Sequence, residues 1–176
     1  MRVIGGEFRS RVLKSLPGLD VRPTPDRLRE ALFSILTARI KGSVFLDLYA
    51  GTGAVGIEAL SRGAERAIFV ENNQDALEVI RFNLKSLGLE QQGRVWQGRA
   101  SNVIAKIGTV DIAFLDPPYP SEHEYEKALT ALADDPPGLV IAQHASRYAI
   151  AENYGVLKRE RVLKQGENKL SFFEAA

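Results

Sequence analysis

The strongest constraint on this chain's fold lies near residue 50. Residues 43–48 (SVFLDL) form a short apolar run that leads into Gly51-x-Gly53-x-x-Gly56 and then an amphipathic stretch over 54–62. An apolar strand, a glycine turn and a helix make a unit whose strand needs neighbours on both sides and cover on both faces. The rest of the chain offers them. Residues 67–71 (AIFVE) read as a second strand, and 74–87 as a helix with Ala76, Leu77, Ile80, Leu84 and Leu87 on one face, stopped by Gly88. A third strand is expected at 94–97, a helix near 101–106, a fourth strand at 110–115, a helix from about 121 to 133 and a fifth strand at 138–143. This rhythm predicts an α/β fold of the Rossmann-like kind, a mostly parallel sheet with helices on both faces.

The two ends depart from the rhythm. Residues 156–163 and 169–174 are β-rich and joined by Gln165-Gly166-Glu167-Asn168, which predicts an antiparallel hairpin and brings the expected sheet to seven strands. At the front, residues 2–4 and 8–13 flank Gly5-Gly6 and suggest a small hairpin. Thr24 then reads as the N-cap, and Pro25 as the first residue, of a helix to about Arg39. The chain is accordingly divided into an extension, 1–41, and a core, 42–176.

Composition removes several function classes. The chain has 176 residues, no cysteine and two histidines, His123 and His144, which excludes thiolate nucleophiles, cysteine-ligated zinc and a His-rich metal site. No run reaches the roughly 18 apolar residues of a membrane helix, and Met1–Gly6 lacks the apolar run of a signal peptide, so a cytoplasmic protein is expected. The net charge of +1 conceals an asymmetry: residues 1–41 carry +5, 42–146 carry −6 and 147–176 carry +2. A basic leader on an acidic body suggests a polyanionic partner. Arg9, Arg11, Arg22, Arg27 and Arg29 fall in two clusters, and the planar donor fork of arginine suits phosphate, so these point to nucleic acid.

The glycine turn lets backbone approach a ligand at a helix N-terminus, and Glu71, twenty residues after Gly51, stands where a carboxylate can accept from the hydroxyls of a ribose. Those features alone fit either a nicotinamide dinucleotide or S-adenosylmethionine. Asp47, four residues before Gly51, discriminates: a carboxylate repels a pyrophosphate but suits a sulfonium cofactor with an α-ammonium group, directly or through a water. The same aspartate could equally cap the loop's own amides. Asp116-Pro117-Pro118-Tyr119 follows the fourth strand and provides an acceptor, a rigid turn and an aromatic ring. Methylation of an exocyclic base nitrogen needs such a set. The Asp116 carboxylate and the Pro117 carbonyl can each accept an N–H of the amino group and aim its lone pair, while Tyr119 offers a stacking face.

In these motifs the sequence resembles the 16S ribosomal RNA guanine-N2 methyltransferases of bacteria, the RsmD family. The resemblance covers nearly the whole chain: residues 2–11 (RVIGGEFRSR), 22–33 (RPTPDRLREALF) and 45–63 (FLDLYAGTGAVGIEALSRG) look like its signatures. It implies a class I methyltransferase fold and S-adenosylmethionine as cofactor. Asp47, Gly51 and Gly53 would hold the methionine part, Thr52 would also bind the cofactor, Glu71 would take the ribose, and Asn72 would lie beside the adenine. Arg99-Ala100 would contact the adenine amino group; Arg99 stands where related enzymes often have Asp or Asn, so a backbone contact is expected there. Asp116, Pro117 and Tyr119 would be catalytic, Arg9, Arg11, Arg22 and Arg27 would bind RNA, and the partner would be 16S rRNA or the small ribosomal subunit. Tyr49 is a candidate wall of the base pocket. Ser34, where the family usually has Asn, receives no role, nor does His144, which follows the fifth strand where an acidic residue is expected. His123 reads as a surface residue and Trp96 as core. The alternatives are an amino-methyltransferase acting on DNA adenine or protein glutamine, a nicotinamide-dependent oxidoreductase, and a non-catalytic RNA-binding module.

Overall fold

A computed structural model describes residues 1–17, 24–118 and 120–176. Arg22 and Tyr119, two of the expected functional residues, lie outside the described residues. The elements run α1 (Asp26–Ile40), β1 (Val44–Leu48), α2 (Ala54–Ser61), β2 (Arg66–Glu71), α3 (Gln74–Ser86), β3 (Gly93–Gln97), α4 (Ala100–Ile107), β4 (Ile112–Leu115), α5 (His123–Asp134), β5 (Leu139–Ala145), β6 (Asn153–Tyr154), β7 (Leu157–Gln165) and β8 (Asn168–Ala175). They build one sheet in the order β3-β2-β1-β4-β5-β8-β7-β6. The five strands from β3 to β5 are parallel, and β8, β7 and β6 add antiparallel. This is the class I methyltransferase fold.

The sheet has eight strands among the described residues, one more than expected. The addition is β6, only two residues long, which pairs with Leu157 and Lys158 at the sheet's edge. A strand that short has no alternation to read, and its brevity limits the free edge open to another chain.

Two apolar clusters lie on the two faces of the sheet. One gathers Phe45, Phe69, Phe114 and Ile141 with α1, α2, α3 and the leader residues Val3 and Leu13. The other gathers Leu46, Leu48, Leu115 and Val140 with α4 and α5. Helix α1 contributes Leu28, Leu32, Leu36 and Ile40, spaced by four so that they share a face. Its start differs from expectation: Pro25, with ψ of 143°, is the capping residue, not Thr24, and no side chain among the described residues caps the helix. A first-turn carboxylate, Asp26, complements the helix dipole instead and accepts from Arg29 at 3.0 Å.

The leader is not a loose arm. Its expected hairpin forms, but with a single bridge, Arg2↔Val12, flanked by three backbone bonds: Val3 N–H to Arg11, Ser10 N–H to Val3 and Leu13 N–H to Met1. Other amides of the leader are satisfied by α2. Ile4 N–H and Gly5 N–H donate to the two oxygens of Glu58, each at 2.9 Å. Phe8 N–H donates to Ser61 Oγ at 3.0 Å, and that hydroxyl donates to the Gly5 carbonyl at 2.6 Å. Gly6 has φ of 82°, and a β-carbon there would lie 2.0 Å from the Ser61 carbonyl oxygen, so only glycine fits. Every residue of α2 is buried because the sheet covers one side and the leader the other.

Candidate active site

The chain goes from β1 outward to β2 and β3 and then returns to lay β4 on the other side of β1. The carboxyl ends of β1 and β4 therefore flank a topological switch point, where open α/β sheets bind ligands. Leu48 pairs with both Val70 and Leu115, and Leu115 with Ala142. Glu71, Tyr49, Asp116 and Gln143 are each the next residue, so they stand at one level across four neighbouring strands.

The turn after β1 is held from several sides. Ala50 N–H donates to the Val70 carbonyl at 2.9 Å. Gly51 N–H donates to Glu71 Oε1 at 2.9 Å. Tyr49 has φ of 59°, an unusual conformation for a bulky residue, and its hydroxyl donates to Glu124 Oε2 at 2.9 Å, tying the loop to α5. Gly53 caps α2 with φ of 85°. Gly56 permits close approach: a β-carbon there would lie 2.3 Å from the Phe69 ring of β2. Thr52 is buried, its carbonyl accepting from Asn83 Nδ2 at 3.1 Å.

Three carboxylates converge here. Asp47 is buried beneath the loop, and its Oδ2 accepts from Gly56 N–H at 2.9 Å, an otherwise unpaired amide of the first turn of α2. Its carboxyl is held well above the usual carboxylate range, chiefly by burial, with the negative charges of Glu71 and Asp116 adding to the rise and the Gly56 bond opposing it. Glu71 is half-buried and already accepts three amides, Gly51 on Oε1 and Asn72 and Asn73 on Oε2. A carboxylate offers about four acceptor positions, so this geometry leaves room for one further donor rather than the two hydroxyls expected. Asn72 is exposed directly after Glu71. Gly98 N–H donates to the Glu71 carbonyl at 3.0 Å, which brings Arg99 and Ala100 to the same edge. Arg99, exposed, is the capping residue of α4, and Ala100 is buried in its first turn.

On the other side of the switch point, Asp116 is half-buried and Pro117 buried. Tyr125 of α5 lies close enough for Asp116 to raise its hydroxyl's pKa, second to burial, and donates to the Gln143 carbonyl at 2.6 Å. The Gln143 side chain is buried, with no donor to its Oε1 among the described residues. No sequence pattern marked Gln143 or Tyr125, since both resemble ordinary core positions. His144 is structural: buried, with Nε2 2.8 Å from Ser171 Oγ, and its pKa lowered by burial and then by Lys169 and Arg159. His123 is exposed. Trp96 packs against the α4/α5 cluster with the Arg94 guanidinium 4.6 Å from its ring.

The expected RNA-binding residues Arg9, Arg11 and Arg27 are all exposed, on the leader and α1. Arg29, in the same sequence cluster, is completely buried, donating to the Arg2 carbonyl at 2.8 Å and to Asp26. No helix among the described residues is long and apolar enough to cross a membrane.

Residues 1–174 match the family described as Conserved hypothetical protein 95. YlbH of Bacillus subtilis is 35% identical over 170 residues, covering 92% of this chain and 91% of that one. The protein named Ribosomal RNA small subunit methyltransferase D in Escherichia coli K12 is 39% identical over 120 residues, covering 68% of this chain but 60% of its own length. Among solved structures, yhhF of Escherichia coli superposes with a TM-score of 0.88 at 28% identity, covering 99% of this chain and 97% of that one. A hypothetical protein of Thermus thermophilus gives 0.82 at 30% identity, with 99% of each chain covered. By sequence along nearly its whole length and by fold, the chain belongs to this family, the RsmD-like proteins.

Proposed function

We propose that this protein transfers a methyl group from S-adenosylmethionine to the exocyclic N2 amino group of a guanine in 16S rRNA, in the cytoplasm. The observation that carries the reading is the convergence of Asp47, Glu71 and Asp116 at the switch point, where each of the last two raises the pKa of the first. Such a site is short of positive charge. It suits a ligand bearing a sulfonium and an ammonium and opposes the pyrophosphate of a nicotinamide dinucleotide. The names of the Escherichia coli and Haemophilus influenzae relatives, both Ribosomal RNA small subunit methyltransferase D, support ribosomal RNA as the substrate class.

The cofactor supplies an electrophilic methyl group on sulfur. Glu71 would take a ribose hydroxyl in its remaining acceptor position, with Asn72, Arg99 and Ala100 around the adenine. The turn of Gly51, Thr52 and Gly53 would lie against the methionine part, and Asp47 would face its ammonium. The Asp116 carboxylate and the Pro117 carbonyl would accept the two N–H bonds of the target amine. That orients the nitrogen lone pair and stabilises the positive charge that grows on it. Tyr119 would supply the stacking face, and Asp116 or water takes the proton that the methylated nitrogen releases.

The test is incubation with methyl-tritiated S-adenosylmethionine and 16S rRNA or small subunits, followed by nucleoside digestion. The proposal expects label in N2-methylguanosine. Label in N6-methyladenosine or in protein glutamine would overturn the choice of substrate while leaving amino-methyl transfer standing.

A further inference from the structure

Helix α3 carries a large exposed apolar side chain, Phe82, 53% accessible. Its surroundings are cationic. Lys14 Nζ lies 4.9 Å from the ring centroid. Arg11 Nη2 donates to the Ser86 carbonyl at 3.3 Å, one turn further along the same helix face, and exposed Lys85 lies between them in sequence. Arg81 is exposed next to Phe82, and the exposed acids on this face are Glu78, one turn before it, and Asp75, two turns before it. The leader strand that brings Arg11 and Lys14 here is fixed by Asn83, which is fully buried. Its Oδ1 accepts from Lys14 N–H at 2.8 Å, and its Nδ2 donates to the Lys14 carbonyl at 3.1 Å.

We infer that this surface is a second RNA contact, distinct from the carboxyl-edge site: an unpaired base stacks on Phe82 while Arg11, Lys14 and Lys85 neutralise the flanking phosphates. An exposed aromatic ring ringed by cations is the arrangement that binds single-stranded nucleic acid without reading its sequence. A protein partner would favour an apolar patch with few charges at its centre, whereas here lysine and arginine crowd the ring. The leader's +5 charge sets the same preference over a wider area. The inference rests on the proposal that the chain acts on ribosomal RNA.

The experiment is fluorescence anisotropy of a labelled single-stranded oligouridine, titrated at several salt concentrations with the wild type, Phe82→Leu, Phe82→Trp and Lys14→Ala. Phe82→Leu keeps the apolar bulk and removes the ring. It is expected to weaken binding about five- to hundredfold with an unchanged salt slope. Lys14→Ala is expected to lower the slope by about 0.7. Phe82→Trp is expected to retain affinity, and its added emission, above that of Trp96, to be quenched by RNA. Wild-type affinity in Phe82→Leu would overturn the inference. So would a loss confined to assembled small subunits, which would mean that the patch meets a protein. If the wild type bound neither oligouridine nor rRNA, the ribosomal reading itself would fall.

Discussion

Replacing Glu58 by glutamine changes a few atoms in α2, yet it weakens one of the ties between the leader and the body. The carboxylate is fully buried. It accepts from Ile4 N–H, from Gly5 N–H and, at 2.8 Å, from Arg62 Nε, and it lies 4.0 Å from the Nε of the buried Arg29. A carboxamide has one acceptor oxygen, so its NH2 group must point at Ile4 N–H or at the Gly5 and Arg62 donors. At least one buried amide is orphaned, costing about 1–3 kcal/mol. The substitution also removes the buried charge 4.0 Å from Arg29, which keeps its 3.0 Å bond to the exposed Asp26, so only part of the about 3–5 kcal/mol of a broken buried ion pair is expected. The two estimates overlap, so the total expected is about 2–4 kcal/mol. For a chain of this size that lowers Tm by about 4–16 °C. Thermal unfolding followed by far-ultraviolet circular dichroism measures the loss, and hydrogen exchange at the Ile4 and Gly5 amides shows whether the leader opens first. A Glu58→Gln protein melting within about 1 °C of the wild type, with both amides still protected, would refute the reasoning.

Four further variants test the site and the basic leader. Asp116→Ala is expected to leave cofactor affinity nearly intact while single-turnover methylation falls on the order of a hundred- to a thousandfold, since its carboxylate acts as positive charge develops. Glu71→Ala is expected to weaken S-adenosylmethionine binding in calorimetry and also to loosen the Gly51 turn, whose amide it holds; unchanged affinity would remove it as the ribose ligand. Asp47→Asn is expected to raise Tm at neutral pH and weaken cofactor binding. The folded state raises this pKa, so the wild type is favoured while the group is protonated and loses that contribution as pH rises from the ordinary carboxylate range through the raised value; the variant's advantage should therefore disappear in acid. Replacing Arg9, Arg11, Arg22 and Arg27 by alanine is expected to weaken RNA binding and flatten its salt dependence, with cofactor affinity preserved; an unchanged salt slope would leave them as solvated surface.

The alternating elements were legible because buried parallel strands read as continuous apolar runs and helices such as α3 show their period plainly. The boundaries found at Val44–Leu48 and Gln74–Ser86 differ from those expected by one residue. What escaped the sequence was long-range. Glu58 and Asn83 look like ordinary helix-surface residues, and nothing local marks their partners, 54 and 69 residues away. The glycine turn and Glu71 were recognisable as a pair, but not that Glu71 gives one acceptor position to the turn, at Gly51, and two to the amides of Asn72 and Asn73 that follow it. Asp47 serves a first-turn amide of α2, which is the capping role weighed beside its expected attraction for a cation.

The same bonds have a consequence for the order in which the molecule assembles. The leader is synthesised ahead of the body, but its hydrogen-bond partner in α3 lies 69 residues downstream. At about 5–20 residues per second, about 3–14 s of synthesis separate Lys14 from Asn83. Closing so long a loop comes late and slows folding, because the chain entropy is lost before the contacts form. The basic strand thus docks fully only when α2 and α3 both exist to receive it, and a chain halted between residues 61 and 83 offers the leader Glu58 and Ser61 of α2 but not Asn83.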